Sequence, residues 1–198
     1  MEADEINVKG DKLALRIFKP SDNRLNGAAV VLAHGLSCTM DSRLFAFAEK
    51  FTVAGINFNS PENWESSKPS SNMRAAQFAA SSPSGKKAEV VFYYFGSGNT
   101  GGIQANVDRW MKQFEKPMGK DVRTVTVGKT KVTYAQAHGT FLSGRPFGPK
   151  TPNPGYGLLA VIIEGEEGAV FIKMTGPKSA VDENIEATKK MVVGSLGN

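Results

Sequence analysis

The sequence predicts an α+β fold: an antiparallel sheet of about six strands with two packed helices, preceded by an N-terminal strand-strand-helix piece. Two pairs of strand-like segments are joined by short glycine turns, at 128–129 and 165–168, which predicts hairpins and therefore antiparallel pairing. Two other segments, 103–114 and 179–192, repeat apolar residues at helical spacing. The 198 residues are enough for one domain, or for one domain with an appendage.

Composition excludes several classes of protein. One Cys cannot form an internal disulfide, and two His with one Cys are too few for a zinc site made of those ligands alone. The longest apolar runs, Ala28–Ala33 and Leu158–Ile163, fall far short of the roughly 20 residues of a membrane-spanning helix. The acidic start predicts no signal peptide. We expect a soluble protein, cytoplasmic if the chain is complete and exported if it is a mature or altered form.

The N-terminal piece combines a strand, a buried strand and a helix. Residues 13–18 alternate as in a half-buried strand, and Ala28–Ala33 is a continuously apolar strand. Asp41 can cap a helix that ends at Gly55. Its predicted apolar stripe comprises Leu44, Phe45, Phe47, Ala48 and Phe51.

The remaining residues supply the sheet and the two helices. Glycine and proline separate the segments, and Val, Tyr and Phe mark the strands. The predicted strands are 56–58, 73–78, 89–95, 122–127, 131–141, 156–164 and 169–175, with a long loop over 142–155 and a last helix from Ser179.

The run Val30-Val-Leu-Ala-His-Gly-Leu-Ser-Cys-Thr-Met-Asp41 is distinctive. With the segments that flank it, over residues 10–58, it resembles the start of α/β-hydrolases of the dienelactone hydrolase type. The resemblance implies a His34-Gly35 turn that helps to build an oxyanion hole. Such enzymes need a Gly-x-Ser-x-Gly nucleophile elbow, and the sequence contains none. We therefore expect a fragment of that fold without its active site.

Cys38 and His34 keep an enzymatic alternative open. A predicted helix N-terminus beside Cys38 favours its thiolate, and His34 is a possible base. The alternative function is an esterase or hydrolase that uses the His34–Asp41 loop. The competing interpretation of Cys38 is a small buried apolar side chain.

Residues 56–198 contain a second set of distinctive sequence segments. They include Ile56-Asn-Phe-Asn-Ser-Pro-Glu-Asn-Trp64, Val90-Val-Phe-Tyr-Tyr-Phe-Gly96, Gln104-Ala-Asn-Val-Asp-Arg-Trp110 and Lys173-Met-Thr-Gly-Pro177. These segments resemble an uncharacterised bacterial family, and their order of elements is similar to the Mog1/PsbP-like fold. That fold implies a non-catalytic binding or protein-interaction module, with no cofactor and with another protein as the partner. The sequence identifies no small-molecule ligand.

We therefore expect two domains, 1–55 and 56–198, that meet at a shared strand beginning at Ile56. A gene fusion, an engineered chimera and an extended N-terminus would each produce this join, and the residues do not separate the three.

Four polar residues form the candidate binding patch. Asn106, Arg109 and Gln113 share one helix face by their spacing, and Arg74 comes from a predicted strand. The alternative is an ordinary solvated helix face with a structural arginine. The Trp64 and Trp110 side chains fit core packing better than a ligand platform.

Three further segments have patterns that are found in binding sites. Gly96–Gly101 matches the Gly-x-Gly-x-x-Gly pattern, but a dinucleotide site also needs a parallel βαβ unit, so a flexible turn is expected. The basic segment Lys112–Lys131 has no interleaved aromatic residues for stacking on bases, which disfavours nucleic acid. The 142–155 loop is a second candidate contact surface.

Overall fold

The computed structural model describes residues 3–8, 11–16, 49–98, 101–144 and 148–197, and divides the chain into two compact units, 1–45 and 46–198. In the first unit, β1 (Ala3–Val8) pairs antiparallel with β2 (Asp11–Arg16). The predicted strand over 13–18 overlaps β2. The predicted strand Ala28–Ala33, together with His34, Cys38 and Asp41, lies outside the described residues. The predicted boundary at 55/56 and the hydrolase-like character of this piece stay predictions.

The second unit confirms the α+β fold class. Its seven-stranded sheet has the order β5-β6-β7-β11-β10-β9-β8, and every neighbouring pair is antiparallel. A separate antiparallel hairpin joins β3 and β4. The strands are β3 (Lys50–Val53), β4 (Ile56–Asn59), β5 (Trp64–Ser67), β6 (Arg74–Ser81), β7 (Lys87–Tyr94), β8 (Phe114–Val127), β9 (Thr130–Ser143), β10 (Thr151–Gly165) and β11 (Gly168–Pro177).

Both predicted hairpins of the sheet are present. Val127 faces Thr130 across the β8–β9 turn, and Gly165 faces Gly168 across the β10–β11 turn. Because successive residues of a strand point to opposite faces, β10 supplies both cores. Leu158, Ala160 and Ile162 enter one core, and Leu159, Val161 and Ile163 enter the other.

One helix covers each face of the sheet. The helix α1 (Ile103–Met111) packs Val107, Trp110 and Met111 against β9, β10 and β11. The longer helix α2 (Lys178–Leu196) covers the opposite face, where it buries Ala180, Val181, Thr188, Met191 and Val192. We name the two surfaces the α1 face and the α2 face. No helix in the described part of the chain is long and apolar enough to span a membrane.

The predicted helix from Asp41 to Gly55 is wrong over its last residues. Residues 50–53 form β3, and a turn at Ala54-Gly55, with φ of 49° and 72°, leads into β4. The reason is aromatic packing: the Phe51 ring contacts the rings of Phe58 and Phe92 at centroid distances of 5.3 and 4.9 Å. Non-local contacts thus outweigh the helical spacing of the local sequence.

The predicted loops are also too long. The expected 142–155 loop shrinks because β9 continues to Ser143 and β10 begins at Thr151. Pro152 takes part in pairing opposite Leu142, and the irregularity that proline favours is confined to a bulge between Asn153 and Tyr156. The strand β5 and the first half of β8 lie outside the predicted strands.

Candidate functional site

A cluster of charged and polar side chains lies on the α1 face where the short helix ends. We name it the Lys173 cluster. Lys173 lies on β11 opposite Val91 of β7, and Glu89 and Tyr93 flank Val91 on the same side of that strand. The cluster consists of Arg74 from β6, Glu89 and Tyr93 from β7, Arg109 and Gln113 from α1 and its end, and Lys173 from β11.

Lys173 lies on β11, the central strand of the seven-stranded sheet. Its Nζ donates a hydrogen bond to Gln113 Oε1 at 2.5 Å and lies 5.2 Å from the centroid of the Phe141 ring. Burial lowers the pKa of Lys173 to about 8; the Glu89 carboxylate opposes that shift, and the positive charges of Arg74 and Arg109 add to it. Both arginines are therefore near enough for their charges to act on the amine.

Arg74 is fixed by an ion pair at one side of the cluster. Its Nη1 lies 2.7 Å from Glu89 Oε1 and also donates to Gln77 Oε1 at 2.9 Å. Gln77 in turn donates to Glu89 Oε1 at 3.3 Å. The Arg74 side chain is 21% exposed and that of Glu89 is 46% exposed, so the pair is open to solvent yet held in one geometry.

Arg109 is held by Asn106 within the same helix. The Nη2 group of Arg109 donates to Asn106 Oδ1 at 2.6 Å, and the Asn106 residue is only 4% exposed. Asn106 Nδ2 donates to the carbonyl oxygens of Gly101 and Gly102 at 3.4 and 3.3 Å. Asn106 thus links the guanidinium of Arg109 to the backbone at the start of α1.

Tyr93 lies on β7 opposite Arg74 of β6. Burial raises the pKa of the Tyr93 phenol, and the charges of Arg74, Glu89 and Arg109 each act on it. Its ring stacks on that of Phe95 at a centroid distance of 6.0 Å. With Lys173 protonated, the cluster has three cations and one carboxylate, so positive charge is in excess.

The structure brings together three of the four predicted patch residues. Gln113 accepts a hydrogen bond from Lys173, and the charges of Arg74 and Arg109 act on Lys173, whereas Asn106 is buried and accepts a hydrogen bond from Arg109. Their role in binding stays a prediction. Lys173, Glu89 and Tyr93 were missed. A lysine within the otherwise apolar strand at 169–175 was the available signal for Lys173.

The glycine loop at Gly96–Gly101 does not belong to a unit of adjacent parallel strands. The strand before it, β7, is hydrogen-bonded to antiparallel β6 on one side and antiparallel β11 on the other. The described residues contain no group of three or more His, Cys, Asp or Glu that could hold a metal ion.

The basic segment Lys112–Lys131 runs along the edge strand β8 and its turn. Arg123, whose side chain is 76% exposed, forms an ion pair with Asp121 at 2.9 Å. The two tryptophans are core residues: Trp64 and Trp110 are both buried.

Comparison with solved structures shows a likeness of fold. No protein-family model matches the chain, and no curated protein matches it. The solution structure of cyanobacterial PsbP (CyanoP) from Synechocystis sp. PCC 6803 is similar to it at 15% identity, with a TM-score of 0.46 over 80% of this chain and 95% of that one. A likeness at this level carries no argument about function. The resemblances to the hydrolases and to the bacterial family stay predictions.

Proposed function

We propose that the α+β unit is a non-catalytic protein-interaction module that contacts its partner through the Lys173 cluster. The observation that carries the proposal is the arrangement of its three cations. Each is already held by an acceptor of this chain: Arg74 by Glu89, Arg109 by Asn106 and Lys173 by Gln113. Groups that are ordered before binding lose little conformational entropy when a partner arrives.

The environment of the cluster favours contact with a protein surface. Tyr93 and Phe95 provide aromatic area beside the charged groups. Arginine and aromatic residues are enriched at the energetic centres of protein interfaces. The cluster thus combines fixed charge with apolar area, which suits a specific contact.

His138 lies away from the Lys173 cluster. Nucleophilic catalysis needs a hydroxyl or thiol hydrogen-bonded to a base. The described ranges contain one histidine, His138, and no hydroxyl or thiol within those ranges hydrogen-bonds to it. It lies on the α2 face, where it lines a small cavity with Lys178 and Asp182. It is thus separated from the Lys173 cluster by the sheet.

A capture experiment with matched variants tests the proposal. Tagged full-length protein is incubated with lysate of its source organism, and the bound proteins are identified by mass spectrometry for the wild type, Arg109→Gln and Arg123→Gln. We expect a protein that the wild type and Arg123→Gln retain and that Arg109→Gln loses by at least about tenfold. Arg123→Gln is the matched control because it removes an arginine charge from an exposed site on the edge strand.

Circular dichroism establishes that each variant is folded before capture. The proposal is contradicted when every captured protein is retained equally by the three chains. Turnover of ester substrates that Arg109→Gln leaves unchanged and that Cys38→Ala abolishes would instead support the hydrolase alternative.

A further inference from the structure

The charges of the Lys173 cluster are unbalanced. Glu89 pairs with Arg74 at 2.7 Å, Lys173 donates to the neutral Gln113, and Arg109 donates to the neutral Asn106. Burial and the charges of Arg74 and Arg109 lower the pKa of Lys173. Like charges in one partly buried site cost free energy unless an anion neutralises them. The excess positive charge therefore favours a ligand that carries a negative charge.

The free donors of the cluster suit a planar anion. Within the described residues, Arg109 donates a hydrogen bond to Asn106, and a guanidinium carries five N–H donors in a fixed fork. Arg74 uses its Nη1 on Gln77 and Glu89, and Lys173 uses one of three donors on Gln113. Arginine forks bind carboxylates through two parallel hydrogen bonds.

We propose that the Lys173 cluster binds a carboxylate group of the partner protein, with Arg109, Arg74 and Lys173 as its contacts. This inference rests on the proposed function and assigns the chemical class of the contacted group. Asn106 acts as a positioning residue, because it fixes the Arg109 guanidinium and is itself buried. Gln113 has the same relation to Lys173.

Small carboxylates test this assignment without a known partner. Full-length protein labelled with ¹⁵N is titrated at constant ionic strength with N-acetyl-glutamic acid amide, which carries a side-chain carboxylate, and with N-acetyl-alanine, which carries a terminal carboxylate. N-acetyl-glutamine amide is the neutral isostere. We expect one carboxylate to shift the Arg109 side-chain N–H signal and to bind at least about tenfold more tightly than the isostere. The tighter of the two shows which kind of carboxylate the site takes.

Three variants locate the binding. Arg109→Gln is expected to lower the affinity for the carboxylate by about tenfold to a hundredfold, which is the effect of losing one charged hydrogen-bond partner. Arg109→Lys keeps the charge but not the fork, so its loss should be intermediate. Arg123→Gln should bind as the wild type does.

The assignment is overturned when neither carboxylate binds more tightly than the isostere, or when Arg123→Gln weakens binding as much as Arg109→Gln. The two proposals fail separately. Carboxylate binding without any cluster-dependent partner contradicts the interaction module alone, and a cluster-dependent partner without carboxylate binding contradicts the carboxylate site alone.

Discussion

The two faces of the sheet are closed in different ways. On the α2 face, a helix of 19 residues and the β3–β4 hairpin bury an apolar core that includes Phe58, Phe92 and Met174. On the α1 face, a helix of nine residues packs on β9, β10 and β11. The Lys173 cluster lies beside it, with sheet residues from β6, β7 and β11. A long apolar cover stabilises the fold, whereas a short one leaves sheet positions where charged side chains can meet a ligand.

The largest effects should come from opening either core. Phe92 is fully buried and contacts the rings of Phe51, Phe58 and Phe78 on the α2 face. Phe92→Ala should lower the free energy of unfolding by about 3–5 kcal/mol because it leaves a cavity. Trp110→Ala should do the same on the α1 face, where Trp110 packs edge-on against Phe171. Urea unfolding measures both; a loss below about 1 kcal/mol at Trp110 would mean that α1 contributes little to stability.

An intermediate effect is expected at Asn184, the polar centre of the α2 face. Its Oδ1 accepts hydrogen bonds from Asn63 Nδ2 at 2.7 Å and from the buried Trp64 Nε1 at 3.0 Å. Asn184→Ala should cost about 1–3 kcal/mol, because the indole donor keeps no partner in the core. The exposed neighbour variant Glu183→Ala, measured by the same unfolding curve, should stay within about 0.5 kcal/mol of the wild type. Equal losses in the two variants would contradict this role of Asn184.

An effect of opposite sign is expected at Lys173. At pH 7 the Lys173 amine is protonated in both the folded and the unfolded chain, and burying its charge destabilises the folded chain. Lys173→Met should therefore raise the melting temperature at pH 7. Above about pH 8 the Lys173 amine loses its proton in the folded chain, whereas in the unfolded chain it keeps the proton up to about pH 10.5. The wild type therefore gains stability as the pH rises, and the difference in melting temperature between Lys173→Met and the wild type should shrink. Melting curves from pH 7 to pH 10 measure this, and a constant difference would contradict it.

Local patterns predicted the fold where one short segment determined the structure. The glycines at 128 and 165–168 specified both sheet hairpins, and the spacing of Val107, Trp110 and Met111 specified the buried side of α1. The prediction failed at residues 50–53, where Phe51 is held by rings from distant strands. It failed again at Pro152, which pairs within β10 although proline is typical of loops.

The candidate site was only partly predictable for the same reason. The helix period placed Asn106, Arg109 and Gln113 on one face, but it could not show that Asn106 is buried. Lys173 stands among Val170, Phe171, Ile172 and Met174, and a single lysine in such a strand does not show which other side chains it contacts. Its burial follows from the position of β11 between β7 and β10, and the order of strands is a property of the whole sheet.

That order of strands also bears on how the chain folds. Within the sheet, β6–β7 and the series from β8 to β11 are built from hairpins between neighbours in sequence, whereas the β7–β11 pairing joins residue 94 to residue 170. Closing so long a loop is entropically costly, so this pairing should form late. Arg74 on β6 and Glu89 on β7 lie on one side of the β7–β11 pairing, and Lys173 on β11 lies on the other. Any ligand of the cluster would therefore select chains that have completed folding, and a stalled intermediate would not compete for it.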